Sequence, residues 1–297
     1  MTFPLLSTLR RRAAPGLLLL TLLAVASQPA PARAGDRLTA TSGVGTVEGS
    51  GGGGLVPWAL IGGYGSRDQI GASAHLTRVR TDGGYTLTTT AAAIGVHDTW
   101  EASVAQIRFG LSDTVPGQSV KLNVLGLKWR VLGDAIYDQH QWWPQVSVGA
   151  QLKHNEDMGV PTALGARRAS DTDLLVSATK VWLGGLGGYN ALANLTLRRT
   201  RANQFGLLGF GGDVRDQAQW MPEVSGAVLL RDDLAVGVEW RRKPDNLSVF
   251  REESAHDVFI AWWPVRNLSL TVAAVNLGNI ANKANQRGWY VSAQASY

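Results

Sequence analysis

Residues 288–297 read Gly-Trp-Tyr-Val-Ser-Ala-Gln-Ala-Ser-Tyr, and their alternation decides the fold class. Trp289, Val291, Ala293, Ala295 and Tyr297 fall on one face, while Tyr290, Ser292, Gln294 and Ser296 fall on the other. That is the period of a β-strand with one apolar side. A terminal strand left at a sheet edge needs protection. Pairing it with the first strand of a closed transmembrane barrel removes both edges at once. The expected fold is therefore all-β: a transmembrane antiparallel β-barrel of about 12 strands, behind an N-terminal signal peptide.

Working backwards, strand-like segments recur at 69–80, 84–95, 101–111, 119–131, 144–154, 172–183, 188–199, 219–230, 233–243, 255–263, 267–277 and 288–297. Their lengths suit tilted strands crossing a hydrocarbon layer. Several alternate cleanly. Val146, Val148, Ala150 and Leu152 oppose Gln145, Ser147, Gln151 and Lys153. Ala191, Ala193, Leu195 and Leu197 oppose Asn190, Asn194, Thr196 and Arg198, and Leu234, Val236, Val238 and Trp240 oppose Glu239 and Arg241. Leu268, Leu270, Val272 and Ala274 form the outward face of 267–277. Segments 101–111, 119–131 and 172–183 alternate poorly, because Lys128 and Lys180 share phase with apolar residues. A bulge or a place near the membrane boundary would accommodate them.

The connections fall into two sizes. Residues 81–84, 231–233 and 264–267 are short, while 154–171, 200–218, 243–255 and 278–287 are long. With both termini periplasmic, the long connections at 155–171, 200–218, 244–254 and 278–287 become extracellular, the usual asymmetry of an outer-membrane barrel. Trp100, Trp142, Trp143, Trp182, Trp220, Trp262, Trp263, Trp289 and Tyr297 lie near strand ends, as a headgroup girdle requires. A soluble periplasmic sandwich is the architectural alternative. It would place more of these rings in mid-strand as core.

Residues 1–34 read as a secretory leader: Arg10, Arg11 and Arg12, an apolar run from Gly16 to Ser27, then Ala32-Arg33-Ala34 at the cleavage site. The apolar run is short for a membrane-spanning helix, which needs roughly 20 residues. Four of the 28 Lys and Arg residues lie in this leader and none of the 23 acidic ones, so the remainder carries about +1. No basic stripe survives to suggest a nucleic-acid partner. With no cysteine, disulfides and thiolate metal sites are excluded.

Gly35 to Gly65 is a glycine-rich lead-in containing the run Gly51–Gly54. It reads as a flexible segment or as an inner segment or plug, where absent side chains permit close approach to the wall. Leu55–Gly65 is a thirteenth strand candidate, or part of that inner segment. The barrel proper is expected over 66–297.

No constellation commits the chain to chemistry. His97-Asp98 and His256-Asp257 are adjacent in sequence and so point to opposite faces of a strand. His75 shares the polar phase with Ser73 and Thr77, and a hydrogen-bonded wall residue is favoured over the base of a lipid hydrolase. Neither metal-ligand spacing nor a phosphate loop occurs, so no cofactor or catalytic set is expected. The candidate lumen or constriction residues are Lys153, Arg198, Glu239, Arg241 and Asp257, with Phe205 and Phe210. The two phenylalanines belong to Asn203–Asp213, which is too apolar for an exposed loop and is expected to fold inward.

Val47–Gly65 (VEGSGGGGLVPWALIGGYG) with Arg67-Asp68-Gln69-Ile70-Gly71, Ala202–Asp213 (ANQFGLLGFGGD), Lys243-Pro244-Asp245-Asn246-Leu247 and Asn276–Tyr290 (NLGNIANKANQRGWY) together resemble a proteobacterial family known as domain of unknown function 3034. The resemblance spans nearly all of the chain beyond the leader and implies a Gram-negative outer-membrane barrel. It implies no substrate, reaction or functional residue. The leading expectation is a passive or gated channel for small solutes. A non-conducting barrel with Gly51–Trp58 as a plug is second, and a membrane-embedded lipid hydrolase third. The expected partners are outer-membrane lipids, the barrel-assembly machinery through the C-terminal strand, and a small solute.

Overall fold

The computed structural model describes Gly35 and residues 37–297; the leader and its cleavage site lie outside these residues. Two short strands, β1 (Val44–Gly45) and β2 (Gly51–Gly52), pair only with each other. The wall follows: β3 (Ile70–Thr81), β4 (Thr86–Val96), β5 (Trp100–Gly110), β6 (Ser119–Leu132), β7 (Gln145–Asn155), β8 (Ser170–Leu186), β9 (Tyr189–Thr200), β10 (Gln219–Arg231), β11 (Leu234–Arg241), β12 (Ala255–Val265), β13 (Leu268–Asn276) and β14 (Arg287–Ser296). Each pairs antiparallel with its sequence neighbours, and β14 pairs with β3 from Gly288 opposite Thr81 to Ser296 opposite Ser73. The described residues thus form one closed barrel of 12 strands, and the two-layered sandwich is overturned.

Closure follows from the pattern that defines the last strand. In β14, Tyr290, Ser292, Gln294 and Ser296 are buried inside the barrel, while Trp289 and Val291 are exposed on the outside. Around the wall the exposed phase is apolar, including Val104, Leu125, Leu152, Val176, Leu195, Val238, Ile260 and Val272. An apolar outer face over a fully hydrogen-bonded wall is the only β arrangement that hydrocarbon tolerates. Outward arginines (Arg78, Arg80, Arg108, Arg199) sit toward one rim, the one opposite the C-terminus, termed here the far rim.

Three expectations are refined. Segments 101–111 and 119–131 need no bulge between them, since β5 and β6 pair in unbroken register from Trp100–Trp129 to Gly110–Ser119. Lys128 points inward, and so do the apolar residues sharing its phase, Val120, Leu122 and Val124. In β5 and β6 the inward face is apolar toward the far rim (Ile107, Phe109, Leu122) and polar toward the near one (Glu101, Ser103, Lys128). Lys180 does take the outward phase, at the near rim, where its ammonium donates to the carbonyls of Asp138 (2.7 Å) and Gln141 (3.0 Å). Of the adjacent pair Trp262 and Trp263, only Trp262 joins the outer belt; Trp263 is buried within.

The loops obey the two-size rule with two exceptions. Residues 82–85 form a short turn at the far rim, and 133–144 form a long connection at the near one. The register irregularities of β6, β8, β10 and β12 lie at the near-rim ends of those strands, where bulges ease the strands into their turns. Trp100 and Trp129 stack there with ring centroids 5.3 Å apart, and Trp182, Trp262 and Tyr297 are exposed toward the same rim. That ring population suits a headgroup boundary.

Val272 lies mid-strand on the outer face. Val272→Arg is expected to lower the stability of the barrel folded into phospholipid vesicles by about 2–4 kcal/mol in urea titrations. An unchanged midpoint would contradict a lipid-facing position.

Candidate functional site: an occluded lumen

The barrel is full. Residues 42–65 are buried throughout, threaded inside the wall, so Leu55–Gly65 belongs to an inner segment and not to a strand of the wall. The glycines are what allow this. A Cβ on Gly45 would lie 2.1 Å from the His75 ring, and one on Gly53 would lie 2.3 Å from Glu239 Oε1. No side chain fits in either place.

Wall side chains take up the segment's backbone polar groups, as burial requires. His75 Nε2 donates to Thr46 O (3.0 Å) and Thr89 Oγ1 to Val47 O (3.0 Å). Leu55 N and Val56 N donate to the Glu239 carboxylate at 2.7 and 3.2 Å, and Ala59 N donates to Thr179 Oγ1 (2.8 Å). Thr196 Oγ1 donates to Pro57 O (2.7 Å), Ser147 Oγ to Ala59 O (2.6 Å), and Trp58 Nε1 to Ser225 Oγ (3.0 Å). Lys128 Nζ reaches Leu60 O (2.9 Å) and pairs with Glu101 (3.1 Å). At the near rim Arg37 donates to Ile61 O (2.8 Å) and pairs with Asp98 (3.1 Å), fixing the entry of the segment. His75 therefore spends its proton on the plug backbone, which leaves the hydrolase expectation without support.

At the centre the hairpin β1–β2 presents Glu48 at its tip, closed by Gly49 N to Thr46 O (2.9 Å) and Thr46 N to Ser50 O (2.9 Å). Its carboxylate is gripped by three wall cations. Arg241 approaches at 2.7 Å, Arg198 at 3.0 Å, and Lys153 makes the third contact. Asp173 bridges Lys153 (2.6 Å) and Arg198 (3.1 Å), while Glu223 bridges Arg198 (2.5 Å) and Arg241 (3.1 Å). Three cations thus face three anions, all with side chains at most 3% exposed. Charge balance is what makes burial of so many ions tolerable.

The hub also holds the far half of the occlusion. Residues 202–212 fold inward, as their apolar character requires. Phe205 lies beneath the Arg241 guanidinium, 4.4 Å from Cζ to ring centroid, and its carbonyl accepts from Lys153 (3.3 Å). Gln204 and Phe205 adopt positive φ (44° and 64°), a conformation L residues resist and surroundings must enforce. Asn155 Nδ2 enforces it by donating to Leu207 O (2.8 Å), and Asn246 Nδ2 by donating to Asn203 Oδ1 (2.9 Å). Above the hub, Phe210, Leu207, Ile107, Phe109 and Leu122 form a dry layer.

Of the residues singled out from sequence, Lys153, Arg198, Arg241 and Phe205 come together. Glu239 stands beside them on the plug amides. Asp257 faces Glu239 across β11 and β12, and its Oδ1 has no hydrogen bond. Phe210 packs in the dry layer, apart from the hub. Glu48, Asp173 and Glu223 escaped sequence reading. The alternation of β10, with Met221, Glu223, Ser225 and Ala227 in one phase, could have found Glu223. Nothing periodic marks Glu48.

The family model for proteins of unknown function DUF3034 matches residues 41–294. The chain belongs to that family. The match takes in both the plug and the wall, so the inner segment lies within the stretch that defines DUF3034. No curated protein matches the sequence. Among solved structures, a KdgM porin is 9% identical with a TM-score of 0.47, over 76% of this chain and 99% of its own. A NanC porin is 8% identical with a TM-score of 0.48, over 75% and 98%. A COG4313 outer membrane channel from Pseudomonas putida F1 is 9% identical with a TM-score of 0.41, over 82% and 96%.

In this DUF3034 chain the described residues 42–65 and 202–212 occupy the bore at two levels. Arg198→Ala strips the hub of a cation shared by Glu48, Asp173 and Glu223, and is expected to cost about 3–5 kcal/mol in chemical denaturation. A loss below 1 kcal/mol, the ceiling for an exposed pair, would show the hub to be solvated.

A further buried ion pair lies in the far-rim loop 242–254, where Lys243 Nζ meets Glu252 at 2.6 Å. Burial pushes the Glu252 carboxyl up from its ordinary 4.5 to about 7, against the pull of Lys243. A raised carboxyl favours the folded loop below the unfolded value and loses that contribution as pH rises through the folded one. Amide exchange in 242–254, corrected for intrinsic rate, is thus expected to accelerate between pH 4.5 and 7. Glu252→Gln should flatten that dependence; an equally steep profile in the variant would assign it elsewhere.

Proposed function

We propose that this protein is an outer-membrane channel for small solutes, closed at rest by its own N-terminal segment and open when that segment withdraws. The observation that carries this reading is that the plug makes no ladder with the wall: β1 and β2 pair only with each other, while the barrel closes through β14 and β3 without them. The segment is held mainly by wall side chains reaching to its backbone, with the Glu48 carboxylate in the hub, the Trp58 indole on Ser225 and one backbone bond from Tyr64 N to Tyr297 O, polar contacts that water or a solute can replace. On β5–β8 the wall behind it is polar, with Glu101, Ser103, Lys128, Ser147, Gln151 and Thr179 facing inward.

In this reading the leader carries the chain across the inner membrane, and the C-terminal strand is read by the barrel-assembly machinery. The near rim faces the periplasm. The outward arginines Arg78, Arg80, Arg108 and Arg199 then meet lipid phosphates on the outer side, where a charge on the lipid face costs least. A second reading, a solid barrel with a binding or structural role, is favoured by the dry layer over the hub.

Two variants separate them. The first lacks residues 43–62, both ends of the excised stretch lying at the near rim where Arg37 bonds to Ile61. The second adds a Gly-Ser replacement of 203–211. In planar bilayers the intact protein should stay closed, the first variant should flicker because the loop alone is left across the bore, and the second should show steady conductance steps. Silence from a correctly folded second variant would establish the solid barrel.

A further inference from the structure

We propose that Lys153, Arg198 and Arg241 form a lumenal binding site for carboxylate-bearing solutes, in which Glu48 of the plug is a built-in stand-in for the ligand. Passage of such solutes rests on the channel reading above; the binding site does not.

The geometry of Glu48 is that of a bound acid. Its Oε2 accepts from Arg241 Nη1 at 2.7 Å and lies 3.0 Å from Arg198 Nη2, while its Oε1 accepts from Arg241 Nη2 at 3.0 Å and from Lys153. Both oxygens of one carboxylate are saturated, with Arg241 forked across the pair. Guanidinium forks of this kind match planar carboxylates and give direction as well as attraction. The stem is equally telling. Glu48 stands at the tip of a hairpin whose next residue, Gly49, has φ of +95° and backs onto Ala105. The hairpin lowers a single carboxylate into a socket belonging entirely to the wall.

The charge of that socket sets the ligand class. Among the hub residues, removing Glu48 leaves three wall cations against Asp173 and Glu223, a net charge of +1. Those two wall carboxylates bridge neighbouring cations and so hold them in place when the tip leaves. While the rest of the plug stays seated, as when Glu48 alone is replaced, Glu239 does not compete for the cations: its oxygens are taken by Leu55 N, Val56 N and Ser225 Oγ. A net single positive charge with a fork for a planar group favours a monocarboxylate over a tetrahedral dianion. Leaving such a site vacant in low dielectric costs more than filling it, so acid and plug tip exclude one another.

The test is chemical rescue. In detergent-folded protein, Glu48→Ala should melt lower than the natural sequence. Sodium acetate should raise its melting temperature by several degrees over sodium chloride of equal ionic strength, and acetamide should not. The natural sequence, its socket already filled, should show no acetate-specific shift. Adding Arg241→Gln should weaken acetate binding, measured by calorimetry, about tenfold or more, the loss of a charge-assisted fork. If Glu48→Ala does not fold, the variant lacking 43–62 takes the same acetate titration with Glu239→Gln added, because that carboxylate loses its partners Leu55 N and Val56 N with the plug.

Equal responses to acetate and chloride would overturn the proposal, and so would a stronger response to inorganic phosphate. Acetate binding by a barrel that never conducts would keep the site and remove the channel. Conductance indifferent to acetate would do the reverse.

Discussion

Hydrocarbon offers no hydrogen bonds, and everything in this molecule follows from that. A wall exposed to lipid must satisfy every backbone amide within itself. Twelve antiparallel strands do so only because β14 finds β3 and leaves no edge. Alternation then sorts the side chains, with Val291 outward and Ser292 and Gln294 inward on the closing strand. The wall is settled by a rule with period two. The bore it encloses is not.

Inside, the same requirement returns in another form. The wall's inward groups have been taken from bulk water and need partners, and the N-terminal segment provides them as peptide backbone. Glycine suits this role because it presents amides and carbonyls with nothing in the way, as the Gly45–His75 and Gly53–Glu239 approaches show. The entropy lost in ordering such a chain is large. It is offset by wall-to-backbone hydrogen bonds and by the ion hub at Glu48. The far half is built differently: Phe205, Leu207 and Phe210 pack against apolar wall residues such as Leu122 and Phe109, as in an ordinary core.

This division explains what could be read from sequence. All the wall strands were legible, because lipid on one side enforces alternation wherever the other side is polar, as in β7 and β9. Where the inner side is itself apolar the contrast fades, and β5 and β6 looked irregular although their register is unbroken. Lys128 seemed misplaced for that reason; its apolar companions also face inward. The inward turn of 203–213 was legible from Phe205 and Phe210, since polar surroundings would have rejected them. Lys153, Arg198 and Arg241 were legible as inward charges, but not as one site. Their convergence depends on strands far apart in sequence and on Glu48, which lies in a segment with no period to announce its direction.

Buried ion hubs are poor devices for stability, since desolvation consumes most of the Coulomb gain and well-packed apolar groups of equal size often do as well. Their advantage is register and reversibility. A hydrophobic plug tip would slide along a greasy bore, whereas Glu48 has one place where both its oxygens are met. An apolar contact also has no competitor in water, but a carboxylate does: any solute carrying the same group offers the three cations an equivalent partner. The arrangement that seals the bore at rest is therefore one that a particular chemistry can displace. Placing Phe205 under Arg241 ties the second obstruction to the same cation. Whatever moves Arg241 acts on both levels of the occlusion together.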